Sequence, residues 1–151
     1  MREMAQATEN GQEPTTNHPL QPTRDERMRS IRPILPATGN ESESSALQTF
    51  QDQVLRPILK LQHELLLRLA GVGLLARHPD WAHHSEARKV ELLTAWATRD
   101  LEVKKQIEGA IMALMTGEEL DFYFLHEREF QRRIRTFVLE RLRSSLAPPV
   151  S

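Results

Sequence analysis

The chain has no cysteine among its 151 residues. Disulfides, zinc–thiolate sites and thiol catalysis are therefore excluded, and nothing points to an oxidising compartment. An excess of charge of one sign is also lacking, since 20 lysines and arginines stand against 21 aspartates and glutamates for a formal net charge of −1. Such a balance gives the protein as a whole no field that steers it toward nucleic acid or an anionic membrane, so any role of that kind has to be local. No long apolar run exists. The richest, Leu65 to Ala76, is interrupted by Arg68 and falls far short of the ~20 residues that a membrane span requires. The N-terminal residues carry no apolar core of a secretory signal, and the chain is read as cytoplasmic. Missing too are the alternating pattern of strands, a phosphate-cradling glycine loop, a serine elbow and a paired metal motif. The residues thus imply no cofactor and lean against an enzyme.

What is present is one stretch of unusual apolar density, Phe50 to Leu75, reading FQDQVLRPILKLQHELLLRLAGVGLL. At 100° per residue, Leu47, Phe50, Val54, Ile58, Leu61, Leu65, Leu69 and Val72 form one stripe, and Leu55, Leu59 and Leu66 form a second beside it. The combined arc is wider than the ~100° that contact with one neighbour needs, which predicts a central helix with partners on two sides. The opposite face carries Lys60, Glu64 and Arg68 at the i,i+4 spacing of solvated ion pairs. Because the stripe keeps its phase across Pro57, the proline predicts a kink and not a break. Gly71 and Gly73 either allow a close backbone approach or let the helix fray.

In order along the chain, residues 1–44 hold five of the nine prolines and few apolar side chains, the composition of a disordered tail. Met28 to Leu35, with Ile31, Ile34 and Leu35 beside Arg29 and Arg32, is its one slightly apolar patch. Ser44 or Ser45 caps the first helix, which ends by His78 because Pro79 disfavours the helical conformation there. Ser85 caps a second block that runs to Met115, with Val90, Leu92, Leu93, Trp96, Ala97, Leu101, Val103, Ile107, Ala110, Ile111 and Leu114 on its apolar arc. Thr116-Gly-Glu-Glu119 has the form of a capping box and opens a third block, in which His126-Glu127 marks a point of breakage. Residues 45–147 are then the folded domain and 148–151 a short disordered end. The expected fold is all-α, an antiparallel up-down bundle of three long helices, or four if the third is split.

Three constellations could carry chemistry. His78, Asp80, His83 and His84 are all acceptable metal ligands, but their spacing matches no helix-borne metal signature and suits a polar interhelical loop better. Asp100 and Lys104 both fall inside the apolar arc of the second block, where a lone charge is costly, so a mutual ion pair joined by Gln62 is expected. In a functional version the three would line a small pocket with Asp100 as base. The third block carries Arg128, Arg132, Arg133, Arg135, Arg141 and Arg143 against Glu127, Glu129 and Glu140, a local basic excess. It could meet phosphates, although the interleaved glutamates weigh against nucleic acid.

Phe50, the segment Leu55-Arg56-Pro57-Ile58-Leu59-Lys60-Leu61-Gln62, Arg99-Asp100, Gly109 and Val138-Leu139-Glu140-Arg141-Leu142 resemble a group of small bacterial helical proteins that often bear the label glyoxalase. The resemblance spans residues 48–146 and implies a helical domain. It brings no catalytic residue, because no metal-ligand motif exists here to receive one. The leading expectation is an interaction module that binds another protein or itself, with Leu67, Phe122, Leu125 and Leu139 pointing away from the main stripes as contact residues. A small-molecule enzyme with a pocket at Asp100, and a weak anion binder using the last helix, are the alternatives.

Overall fold

Helix ends, more than apolar rhythm, decide how this chain is divided. The computed structural model describes residues 20–36 and 45–146. Among them are seven helices: α1 (Arg24–Ser30), α2 (residues 46–61), α3 (His63–Arg77), α4 (Glu86–Arg99), α5 (Leu101–Met112), α6 (Gly117–Leu125) and α7 (Glu127–Leu146), with a single 3₁₀ turn at Trp81–His83. The fold is all-α, but the up-down bundle of three or four long rods is overturned. Each long block is cut: the first at Gln62, the second at Asp100 and the third at His126. Helices α3, α4 and α7 each touch the other two, and α5 and α6 attach to this triangle through α4 and α7 respectively.

Helix α2 starts where Ser45 accepts a hydrogen bond from the Gln48 amide, 3.2 Å away. Its middle, Gln51–Leu55, is a π-helical turn, and the Arg56 amide donates to the Gln51 carbonyl five residues back. Pro57 explains this wider turn. Its ring has no N–H for the Gln53 carbonyl and would crowd it, and expansion of the preceding turn relieves both problems without ending the helix. The bend after it falls at Gln62, whose backbone leaves helical values (φ −87°, ψ 4°) while its amide still donates to the Ile58 carbonyl.

Beyond Gln62 the second of the two apolar stripes goes fully inside, while of the first only Leu69 packs partly against the core. Leu66, Ala70 and Leu74 are buried, whereas Leu61 and Leu65 are each 40% exposed and Val72 is 74% exposed. Helix α3 does have two neighbours, as its broad arc implied, but they share one side of it. The expected Lys60–Glu64 and Glu64–Arg68 pairs are not among the ion pairs of the described residues. The bend at Gln62 interrupts the even helical spacing that the first of them needs.

The aromatic residues are few but concentrated. Phe50 of α2 lies 5.0 Å from Phe122 of α6 and 4.7 Å from Phe130 of α7, centroid to centroid, and Tyr123 stacks on Phe130 at 15°. Elsewhere the caps anticipated at Ser85 and Thr116 are present. Ser85 accepts from the Arg88 amide, and Thr116 exchanges hydrogen bonds with Glu119 in a complete capping box.

Of the expected 1–44 tail, residues 20–36 are described and hold α1; the remainder, and the end at 148–151, lie outside the described residues. Helix α1 has its own capping box between Thr23 and Glu26 and buries no residue. Charge and hydrogen bonds hold it instead. Arg24 donates to the Ala113 and Met115 carbonyls (2.7 and 2.8 Å), Arg32 to the Leu114 carbonyl (2.7 Å), and Asp25 accepts from the Gly117 amide (3.2 Å). Cations thus meet the C-terminal end of α5 and an anion meets the N-terminal end of α6, as helix dipoles favour. Arg32 also forks onto Glu119 at 2.5 and 2.6 Å. Burial works to raise the Glu119 pKa, but the Arg32 and Thr116 hydrogen bonds prevail and hold it below the ordinary value.

A carboxylate depressed in this way contributes stability that is fully present above its unfolded-state pKa and is lost as pH falls through the lower folded-state value. Acidification below the ordinary glutamate range is therefore expected to loosen α1. Hydrogen-exchange protection factors of residues 24–32 should fall across that window in the wild type. In Arg32→Met they should be low at every pH.

Candidate functional site

Asp100 is first a helix cap, and it also borders a surface depression together with Arg77, His78, Trp96 and Arg99. It is the one extended residue between α4 and α5 (φ −85°, ψ 115°), and its Oδ1 accepts from the amides of Glu102 (2.9 Å) and Val103 (3.2 Å). Its other oxygen accepts from the Arg77 guanidinium at the end of α3. The hydrogen bond from Arg77, then those from the Val103 and Glu102 amides, hold its pKa below the ordinary carboxylate value. The expected Asp100–Lys104 pair is not among the ion pairs of the described residues: Asp100 is committed to the α5 cap and Arg77, and Lys104 faces α7. Gln62 is elsewhere, its side-chain amide donating to the Ala110 carbonyl at 2.8 Å near the end of α5.

Lys104 instead lines a groove of about 360 Å³ between α5 and α7. The floor consists of Ile107, Ile134 and Val138, all buried, with Ala97 of α4 at its base and the 63% exposed Leu101 at its rim. Glu108 and Gln131 stand in its wall as members of a hydrogen-bond network. The Tyr123 hydroxyl donates to Glu108 Oε1 at 2.6 Å, and the Gln131 amide donates to the same oxygen at 3.0 Å. Burial first, and the Glu108 carboxylate second, push the Tyr123 phenol above its ordinary pKa, so it stays protonated and serves as a fixed donor. Chemically the groove offers an apolar bed, two engaged carboxylates, Glu108 and Glu127, and three cations, Lys104, Lys105 and Arg135.

The histidine loop is a local structure. His84 Nε2 lies 3.3 Å from Asp80, and the rings of His78 and His84 meet edge to face with centroids 6.4 Å apart. His83 is exposed. No three His, Asp or Glu side chains among the described residues converge in a way that could hold a metal ion.

The arginines of α7 do not form one patch. Arg132 and Arg133 both clasp Glu129, drawing its pKa down to about 2, and Arg133 also reaches Gln51. Arg143 approaches the Thr94 hydroxyl. Burial, with the Arg56 charge beside it, lowers the pKa of Arg141. Arg135 turns to the groove.

Of the four contact residues expected from the sequence, Leu67, Phe122 and Leu139 are partly buried against the core, and Leu125 is 77% exposed. The larger apolar surface takes in three residues of the first stripe, Leu61, Leu65 and Val72, that were expected in the core. Leu61, Leu65, Val72 and Leu75 lie along one side of the α2–α3 rod, and Val72 and Leu75 are 74% and 54% exposed. Arg68 sits among them, exposed, with no ion-pair partner among the described residues. Glu108 and Arg77 escaped the sequence reading, and Arg135 entered it only as one of six arginines on the last block. Only Asp100 carried a usable signal, since an aspartate followed by Glu102 in the next turn is a helix-start pattern.

No helix among the described residues is long and apolar enough to cross a membrane. No protein family, no curated protein and no solved structure matches the chain.

Proposed function

We propose that this small helical domain is an interaction module that receives an amphipathic helix of another protein along α3. The observation that carries the reading is the row of Leu61, Leu65, Val72 and Leu75, left in water on a helix whose other side is fully packed. Contiguous apolar surface on one helix face is the usual footprint of a helix-on-helix contact, read at i, i+4 and i+11 spacing. Arg68 in the middle of the row favours a foreign partner over a second copy. A symmetric antiparallel pairing centred there would bring Arg68 against Arg68, whereas a partner helix with a carboxylate at that level would neutralise it.

Sedimentation and affinity capture test this together. The chain alone should sediment as a monomer. A protein captured from the native host by the wild type should be lost with Leu65→Glu plus Val72→Glu and weakened by Arg68→Glu. These positions are exposed, so thermal melting should stay within a few degrees. Self-association abolished by the same variants, or capture indifferent to them, would defeat the proposal.

A further inference from the structure

The groove between α5 and α7 is separate from the α3 face, and its side chains specify a ligand of their own. Its floor is apolar and buried: Ile107, Ile134 and Val138 are 5%, 3% and 1% exposed and belong to the main core. Around this floor stand Lys104, Lys105 and Arg135, none of which has an ion-pair partner among the described residues. The acidic side chains of the lining are turned to other tasks. Glu108 accepts from Tyr123 and Gln131, and Glu127 accepts from Gln131 at 3.3 Å. Three cations against these two carboxylates leave a surplus of one positive charge beside an apolar bed. A volume of about 360 Å³ lies at the lower end of the ~300–1,000 Å³ range of small-molecule sites.

From this juxtaposition we infer that the groove binds a small monoanionic amphiphile, a carboxylate with an aliphatic or aromatic body. The carboxylate meets Lys104, Lys105 and Arg135, and the body lies on Ile107, Ile134 and Val138. Guanidinium and ammonium groups are the donors a carboxylate needs, and the surplus charge matches one anion and not a dianion. A neutral molecule of the same shape would leave the cations unanswered, and a cation would be repelled.

Octanoate is the probe, with 1-octanol and octylammonium as controls, titrated into the full chain and followed by amide chemical shifts and calorimetry. Octanoate should move signals from residues 101–108 and 131–138 and bind at least ten-fold more tightly than octanol, with no binding of octylammonium in the groove. Lys104→Met with Arg135→Met should weaken octanoate at least ten-fold. Lys105→Met, at an exposed position that folding does not depend on, should weaken it several-fold, while Leu65→Glu should leave it unchanged. Equal affinity for octanoate and octanol, shifts centred on α3, or indifference to Lys105→Met would each overturn the inference. So would a groove already filled by residues 1–19, revealed if their deletion alone shifts the same signals.

Discussion

Replacing Phe130 with alanine is expected to remove about 3–5 kcal/mol of stability, the range for truncating a fully buried phenylalanine. Phe130 has no exposed surface and packs against the rings of Phe50 from α2 and of Phe122 and Tyr123 from α6, with the His126 ring edge-on beside it. Its loss removes the apolar transfer energy of a whole ring and leaves a void that the other three rings cannot fill together, since Tyr123 is tethered through its hydroxyl to Glu108. A domain of this size holds roughly 5–15 kcal/mol in total, so the variant should unfold at a much lower urea concentration or fail to fold at ordinary temperature. Urea unfolding followed by helical circular dichroism is the measurement. A loss below about 1 kcal/mol would mean the ring cluster is not the closed unit described above.

The second large effect is a reversal of sign between two glycines two positions apart, which the helical turn places on opposite faces of α3. A Cβ on Gly73 would stand 2.5 Å from Trp96 Nε1 and 3.2 Å from Cε2, and the indole is itself buried. The ring cannot yield cheaply, so Gly73→Ala should cost about 1–3 kcal/mol of overpacking, more than the ~1 kcal/mol that alanine gains as a helix former. At Gly71 a Cβ meets nothing within 4 Å, and Gly71→Ala should add about 0.5–1 kcal/mol. Thermal melts of the two variants should therefore move in opposite directions. Tryptophan emission should change only in Gly73→Ala. Two shifts of the same sign would remove the close α3–α4 approach from the account.

These two glycines also show how far the sequence could be read. The sequence left close contact and fraying open at both glycines; that Gly73 makes the contact was not legible, because the partner indole lies on another helix. The all-α class and the caps at Ser45, Ser85 and Thr116 were readable because each depends on neighbours within four residues. The cut at Asp100 was hidden for a different reason. Leu93, Ala97, Val103, Ile107 and Ile111 keep nearly helical spacing straight through it, so the apolar rhythm masks an extended residue that the aspartate cap creates. Past Gln62 the chain offered two equivalent stripes, and only the bend decides that Leu66, Ala70 and Leu74 go inside while Leu65 and Val72 stay out. The groove was illegible altogether, since Lys104 and Arg135 belong to helices whose relative placement no local pattern encodes.

The ring cluster also bears on timing. Phe50 emerges from the ribosome eighty residues ahead of Phe130, and α3 and α4 likewise await α7 before their triangle can close. Local helices can form within microseconds, yet consolidation requires closing a long loop between early and late segments. During synthesis the nascent chain therefore carries unshielded leucines until its last described helix arrives. In that interval those leucines carry the aggregation hazard that any transiently exposed apolar surface brings.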